Sequence, residues 1–145
     1  MKPESIHLLL LAHAAATFFM TGLIWFVQVV HYPLFSRVGA AGFAAYEQMN
    51  TRRTGWVVGG PMLLELGLTC WIVWLRGDWL AWSGLGLLAV IWLSTAVWLI
   101  PLHFLLETGY DASVQRILLR SNWIRTVAWS LRGGIALGLL MGESA

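Results

Sequence analysis

The chain has 145 residues, of which 59% are hydrophobic and only 11% are charged, and its mean hydropathy is +0.72. A soluble domain of this size carries about 25% charged residues, so the composition excludes an ordinary soluble fold and makes the lipid bilayer the expected partner. A net charge of +2 provides no basic surface for nucleic acid, and a single cysteine, Cys70, excludes an intrachain disulfide and a cysteine-cluster metal site.

About 20 apolar residues cross a bilayer. The first span is predicted over residues 6–30. Lys2 and the run Ala12-His13-Ala14 imitate a signal peptide and its cleavage site. The apolar stretch outruns an h-region of about 7–15 residues, so it is read as a retained span. An amphipathic pattern of Phe43, Tyr46 and Met49 follows in residues 38–51 and predicts a short interfacial helix. The second span, residues 55–75, is interrupted by Pro61 and Glu65. Pro61 is expected to kink it and to free a carbonyl one turn before Glu65. Cys70 lies within this run, where inert packing is expected. Arg76-Gly77-Asp78 forms a tight turn to the third span, residues 79–100.

A second interfacial helix is predicted over residues 111–120, with Val114, Ile117 and Leu118 on its apolar side and Asp111 as its cap. The fourth span covers residues 122–141. Gly55 and Gly59 in the second span, and Gly134, Gly138 and Gly142 in the fourth, permit close helix approach within the bundle or across a dimer. Trp56, Trp74, Trp79, Trp82, Trp98 and Trp123 fall near span ends, as interfacial belts require. The long connections hold Arg37, Arg52, Arg53, Arg116 and Arg120, against Lys2 and Arg76 on the other side. This imbalance places the connections in the cytoplasm and both termini outside. The expected fold is an all-α integral membrane domain: an antiparallel four-span bundle with two short amphipathic interfacial helices.

Polar residues within the spans recur at helical spacing. His13, Thr17, Thr21, Gln28 and His31 form one stripe in the first span; Asn122, Arg125, Trp129 and Arg132 form one in the fourth. Glu65 and Thr69 lie one turn apart in the second, and Ser94 and Thr95 lie in the third. Lipid satisfies none of these groups, so the stripes should face one another across a polar seam. Glu65 and Arg132 each lie ten residues into a span running in the same direction. Their depths therefore match at about 15 Å, which predicts a direct or water-bridged pair. That pair either fixes helix register or belongs to a ligand site.

His31 and His103 fall at the same end of parallel spans. Two histidines there suit ligation of haem iron or a divalent metal with a carboxylate such as Glu47 or Glu107. They suit acid–base work equally, since imidazole titrates near neutrality. Capping of helix-end carbonyls is the structural alternative. His7 and His13 lie toward the opposite side.

Five stretches carry a resemblance: Val-His-Tyr-Pro-Leu-Phe (30–35), Phe43-Ala-Ala-Tyr46-Glu47, Gly60-Pro61-Met-Leu-Leu-Glu65, Pro101-Leu-His103 and Asn122-Trp123-Ile-Arg125-Thr126-Val-Ala-Trp129. Together they resemble small four-span bacterial membrane proteins similar to the anthrone-oxygenase-like membrane family. The resemblance implies a pocket for a flat aromatic or quinone-like molecule and cofactor-independent oxygenase chemistry. It carries over no catalytic set. On the residues alone, Glu65, His31 and His103 are the candidates for chemistry. Arg125, Asn122, Trp129, Arg132, Tyr32 and Gln28 are the candidates for holding a ligand. A haem- or metal-binding redox protein, and an accessory subunit or homodimer within a larger membrane complex, are the alternatives.

Overall fold

The computed structural model describes residues 3–142. Their regular structure is entirely helical: α1 (Pro3–Phe26), α2 (Ala40–Arg76), α3 (Trp79–Ser94), α4 (Ile100–Leu106) and α5 (Ala112–Met141). A π-helical turn at Val27–His31 and a tighter turn at Pro33–Arg37 extend α1, and a second π-helical turn at Thr95–Leu99 joins α3 to α4. Three stretches, Glu4–Arg37, Ala40–Arg76 and Trp79–Leu106, are long and apolar enough to cross a membrane. By that measure α5 falls short, and the residues that lower its hydropathy explain why. Asn122, Arg125, Thr126 and Arg132 are all buried inside the bundle, while Ile124, Val127, Leu131 and Leu137 face outward.

The two interfacial helices expected from the sequence are not separate elements. Residues 38–51 run straight into the second span as α2, whose 37 residues measure about 55 Å. Residues 111–120 likewise open α5, of 30 residues. No breaker lies at either junction, and the Thr51 hydroxyl returns to the Glu47 carbonyl at 3.1 Å. Continuity also resets which face is buried. Phe43 and Glu47 point inward while Tyr46 and Met49 are exposed, and Gln115 and Leu118 are buried while Ile117 is exposed.

Helix α5 packs against both α1 and α3, and α2 packs against the same two. The cyclic order is therefore α1–α2–α3–α5, with neighbours antiparallel and α2 diagonal to α5. The α2–α3 turn forms as expected. Gly77 takes φ +59°, and the Asp78 carboxylate accepts from the Ala81 amide at 2.8 Å and from Arg76 Nε at 2.8 Å. The Ala81 amide, followed by Arg76, holds the Asp78 carboxyl below its usual range. This cap is therefore complete above the ordinary value of 3.8 and is lost as pH falls through the lowered one. Asp111 caps α5 through the Ser113 and Val114 amides.

Prolines explain the two π-helical turns. Pro33 and Pro101 lack an amide hydrogen, and their rings crowd the carbonyl four residues earlier. In each case the preceding turn widens by one residue, with the Tyr32 amide reaching the Val27 carbonyl at 3.0 Å and the Ile100 amide reaching Thr95. Pro61, by contrast, leaves α2 continuous.

The outer surface is apolar to an unusual extent. Between Leu8 and Phe26 on α1, Trp56 and Trp74 on α2, and Trp79 and Trp98 on α3, the exposed polar side chains are Ser83 and Cys70. On α5 from Trp123 to Met141 the one exposed polar side chain is Ser130. Each serine returns its hydroxyl to its own helix, at Trp79 and Thr126. Cys70 is thus on the outer face, not packed inside as its sequence setting suggested. Trp56 and Trp74 are both exposed on α2, eighteen residues apart, which is about 27 Å. That separation matches a hydrocarbon core of about 30 Å. Glu65 lies midway between them.

Of the small residues expected to bring helices together, Gly138 does so: a Cβ there would meet Leu80 Cδ2 at 3.1 Å. Gly55, Gly59 and Gly134 have open space instead. Replacing Gly138 with leucine should therefore separate α3 from α5 and cost about 1–3 kcal/mol, while Gly134→Leu should change stability little. Reversible unfolding of both variants in detergent micelles checks this; equal losses would contradict it.

Candidate functional site

At the level of Glu65 all four long helices converge on one polar network. Arg132 Nε donates to Glu65 Oε1 at 3.0 Å, and Nη2 lies at ion-pair distance, 3.0 Å, from the same oxygen. Thr17 donates to the same oxygen at 2.8 Å, and Trp129 Nε1 donates to Oε2 at 3.0 Å. The remaining guanidinium donors reach Thr69 Oγ1 at 3.0 Å, His13 Nε2 at 3.3 Å and the Gly84 carbonyl. Glu65, Arg132, Thr17 and Trp129 are at most 1% exposed. The direct pair expected from matching depths is present. It crosses the bundle diagonal, which backbone packing between α2 and α5 does not bridge. Such a network is saturated: charge meets charge, and nearly every donor is used. Only His13 Nδ1 is left without a partner.

A cavity of about 550 Å³ opens nearer the end that carries the long connections. Its wall is apolar, formed by residues such as Met20, Ile24, Val58, Met62 and Leu99, and both π-helical turns border it through Val27, His31, Thr95 and Leu99. The widened turns thus shape the space between α1 and α3. Arg52, Glu107 and Arg125 line it, and His31, Tyr32, Asn50 and His103 complete its polar edge.

These polar groups form a chain. His103 Nδ1 lies 2.5 Å from Glu47 Oε1, and His103 Nε2 lies 2.9 Å from the Tyr32 hydroxyl. A carboxylate accepts only, so Nδ1 carries the proton and Nε2 accepts from Tyr32. Asn50 Nδ2 donates to Glu47 Oε2 at 3.1 Å, and His31 Nε2 donates to Asn50 Oδ1 at 2.9 Å. Glu47 is fully buried. The order phenol, imidazole, carboxylate places groups in the roles of a hydroxyl–imidazole–carboxylate triad. In that order the imidazole is placed to receive the phenol proton, and the carboxylate to steady an imidazolium. Around this chain Gln115 Nε2 fixes the Tyr32 carbonyl at 2.8 Å, and Tyr110 holds Gln115 at 2.6 Å.

No protein-family model, curated protein or solved structure matches this chain.

The structure divides the residues singled out from the sequence into two groups. His31, Tyr32, His103 and Arg125 border the cavity. Glu65, Trp129 and Arg132 belong to the saturated network, while Gln28 and Asn122 pair with each other at 2.8 Å between the two regions. Ser94 and Thr95 bond to the Ile91 carbonyl of their own helix and add nothing to the seam. The contribution of α3 is instead the bare carbonyl of Gly84. The sequence carries a weak sign of it, a glycine inside an apolar span, which permits close backbone approach. Asn50 was also missed. It lies three residues after Glu47, one helical turn away.

Removing one partner of the Glu65–Arg132 pair strands the other. Arg132→Met should cost about 3–5 kcal/mol, and the double change Glu65→Leu with Arg132→Met should recover most of that loss. Unfolding midpoints in mixed micelles read the difference. A single variant as stable as the native chain would show that the network does not hold the bundle.

Proposed function

We propose that this chain is an integral membrane protein whose cavity binds a small flat aromatic or quinone-like molecule and exchanges a proton with it through Tyr32, His103 and Glu47. The carrying observation is the cavity itself, an apolar chamber with one hydrogen-bonded phenol–imidazole–carboxylate chain at its edge. Ligand pockets of about 300–1,000 Å³ have this character, mostly apolar with a few convergent polar groups. The membrane reading rests on the apolar outer faces of all four long helices and on the spacing of the tryptophans. Arg37, Arg52, Arg53, Arg116 and Arg120 lie toward the cavity end, which supports a cytoplasmic position for that end and an outside position for the termini. The resemblance to the anthrone-oxygenase-like family fits a ligand of this shape.

In this reading the cavity wall orients the ring system and excludes water, and Tyr32 meets a ligand oxygen. A proton leaving the ligand passes to Tyr32 as the phenol proton moves onto His103, with the charge on imidazole balanced by Glu47. Haem or metal ligation by His103 Nε2 would break its bond to Tyr32, while the bond from Nδ1 to Glu47 could stand. The proton-transfer reading uses those bonds as they stand.

The test is equilibrium dialysis of 2-methyl-1,4-naphthoquinone against protein in neutral detergent, with protein-free micelles as the blank. Native protein should show saturable binding. Val58→Trp, which fills the cavity wall, should weaken binding at least tenfold while leaving the helical circular dichroism unchanged. Binding that is absent in the native chain, or unaltered by Val58→Trp, would contradict the proposal.

A further inference from the structure

Helix α5 carries two buried arginines two turns apart, and they are treated differently. Arg132 meets the carboxylate of Glu65 and has a partner for each of its nitrogens. Arg125 is also buried, at 8% exposed. Among the described residues no carboxylate lies within salt-bridge distance of it, and its Nε has no hydrogen-bond partner. Its guanidinium stands 5.2 Å from the Trp129 ring centre, and the neutral Tyr32 hydroxyl lies beside it. Arg125 borders the cavity.

A buried cation without a counter-charge is costly, because desolvation is not offset. Stacking on an indole returns only a small part, about 0.5–2 kcal/mol. Arginine keeps its charge under all ordinary conditions. The charge is therefore left for something that enters the cavity. A guanidinium carries five donors in a planar fork, the kind that takes two oxygens at once.

We infer that Arg125 is the recognition point for an anionic oxygen group carried on an apolar body, so that the ligand of this cavity is an apolar acid. This inference rests on the reading of the cavity as a ligand site and narrows it. The anion is either the carboxylate or ionised ring oxygen of a small aromatic acid or the phosphate of a phospholipid headgroup reaching in from the bilayer. Both meet a guanidinium through the same chemistry. The assignment also separates the roles of neighbouring groups. Arg125 holds the charge, the apolar wall holds the ring system, and Tyr32 stands beside the anion where a proton is gained or lost.

The experiment compares anthracene-2-carboxylate with anthracene-2-carboxamide, which share a skeleton and differ in charge. Both are titrated into native protein in neutral detergent, with protein-free micelles as the blank. The carboxylate should bind at least tenfold more tightly than the amide, as expected for hydrogen bonds to a charged group. Arg125→Gln should abolish that preference while leaving amide affinity unchanged, and Arg125→Lys should keep part of it. Equal affinity of the two probes for native protein overturns the inference even if both bind, and so does a preference that survives Arg125→Gln. If neither probe binds, the ligand-site reading falls and takes the inference with it. Competition by added phosphatidylglycerol, absent with phosphatidylcholine bearing the same chains, would assign the anion to an anionic lipid. Carboxylate binding insensitive to both lipids would assign it to a free aromatic acid.

Discussion

The structure follows from one constraint: between the tryptophan rings no charged group faces outward, so every charge in that zone must be answered inside. Glu65 sits at the centre of that zone and answers Arg132 across the bundle diagonal. Helices α2 and α5 make little direct contact, and these two long side chains, with Trp129, close the space between them. Thr17, Thr69 and the Gly84 carbonyl then tie α1 and α3 to the same point. A single ionic contact in water would contribute little. Here its partners are fully enclosed, so its loss strands a charge in an apolar medium.

Toward the end with the long connections the same inventory of polar groups is arranged differently. Pro33 and Pro101 widen the chain into π-helical turns, a feature frequent at functional sites. The backbone separates there and leaves a chamber. Glu47, His103, Tyr32, Asn50 and His31 are joined to one another, yet they border open space, and Arg125 is left without an opposite charge. The contrast between a saturated centre and an incomplete end is the ground on which the cavity is proposed as a ligand site.

Much of this was legible in the sequence, for a physical reason. Burial in a bilayer forces polar residues onto one helical face, so the period of the stripes in α1 and α5 reveals their inward sides. Equal numbers of residues from the span starts give equal depths, which exposed the Glu65–Arg132 pair. Less was legible where the partner is backbone or distant. Gly84 acts through a carbonyl that residue type does not announce. Glu47 is one of the two carboxylates that the sequence offers beside the histidines, and its reach to His103 across 56 positions singles it out only in the fold. The spacing of Phe43, Tyr46 and Met49 reads as a short interfacial helix, but in the continuous α2 only Phe43 of the three is buried, with Glu47 one turn further on. Cys70 shows the converse limit: an apolar neighbourhood on a helix does not say whether a residue meets the core or the lipid.

In the membrane reading the apolar faces meet lipid while the cavity mouth meets water. Cys70 is a native reporter of the first, and Gln48, exposed at the cavity rim, is a site for the second. The decisive measurement is the rate of reaction with a charged, membrane-impermeant maleimide in proteoliposomes opened to both sides. It compares native protein with a Gln48→Cys variant carrying Cys70→Ala. Rapid labelling is expected at position 48, and labelling of Cys70 only after the bilayer is dissolved and the chain unfolded. Labelling of Cys70 in intact bilayers at the rate seen at position 48 would contradict it.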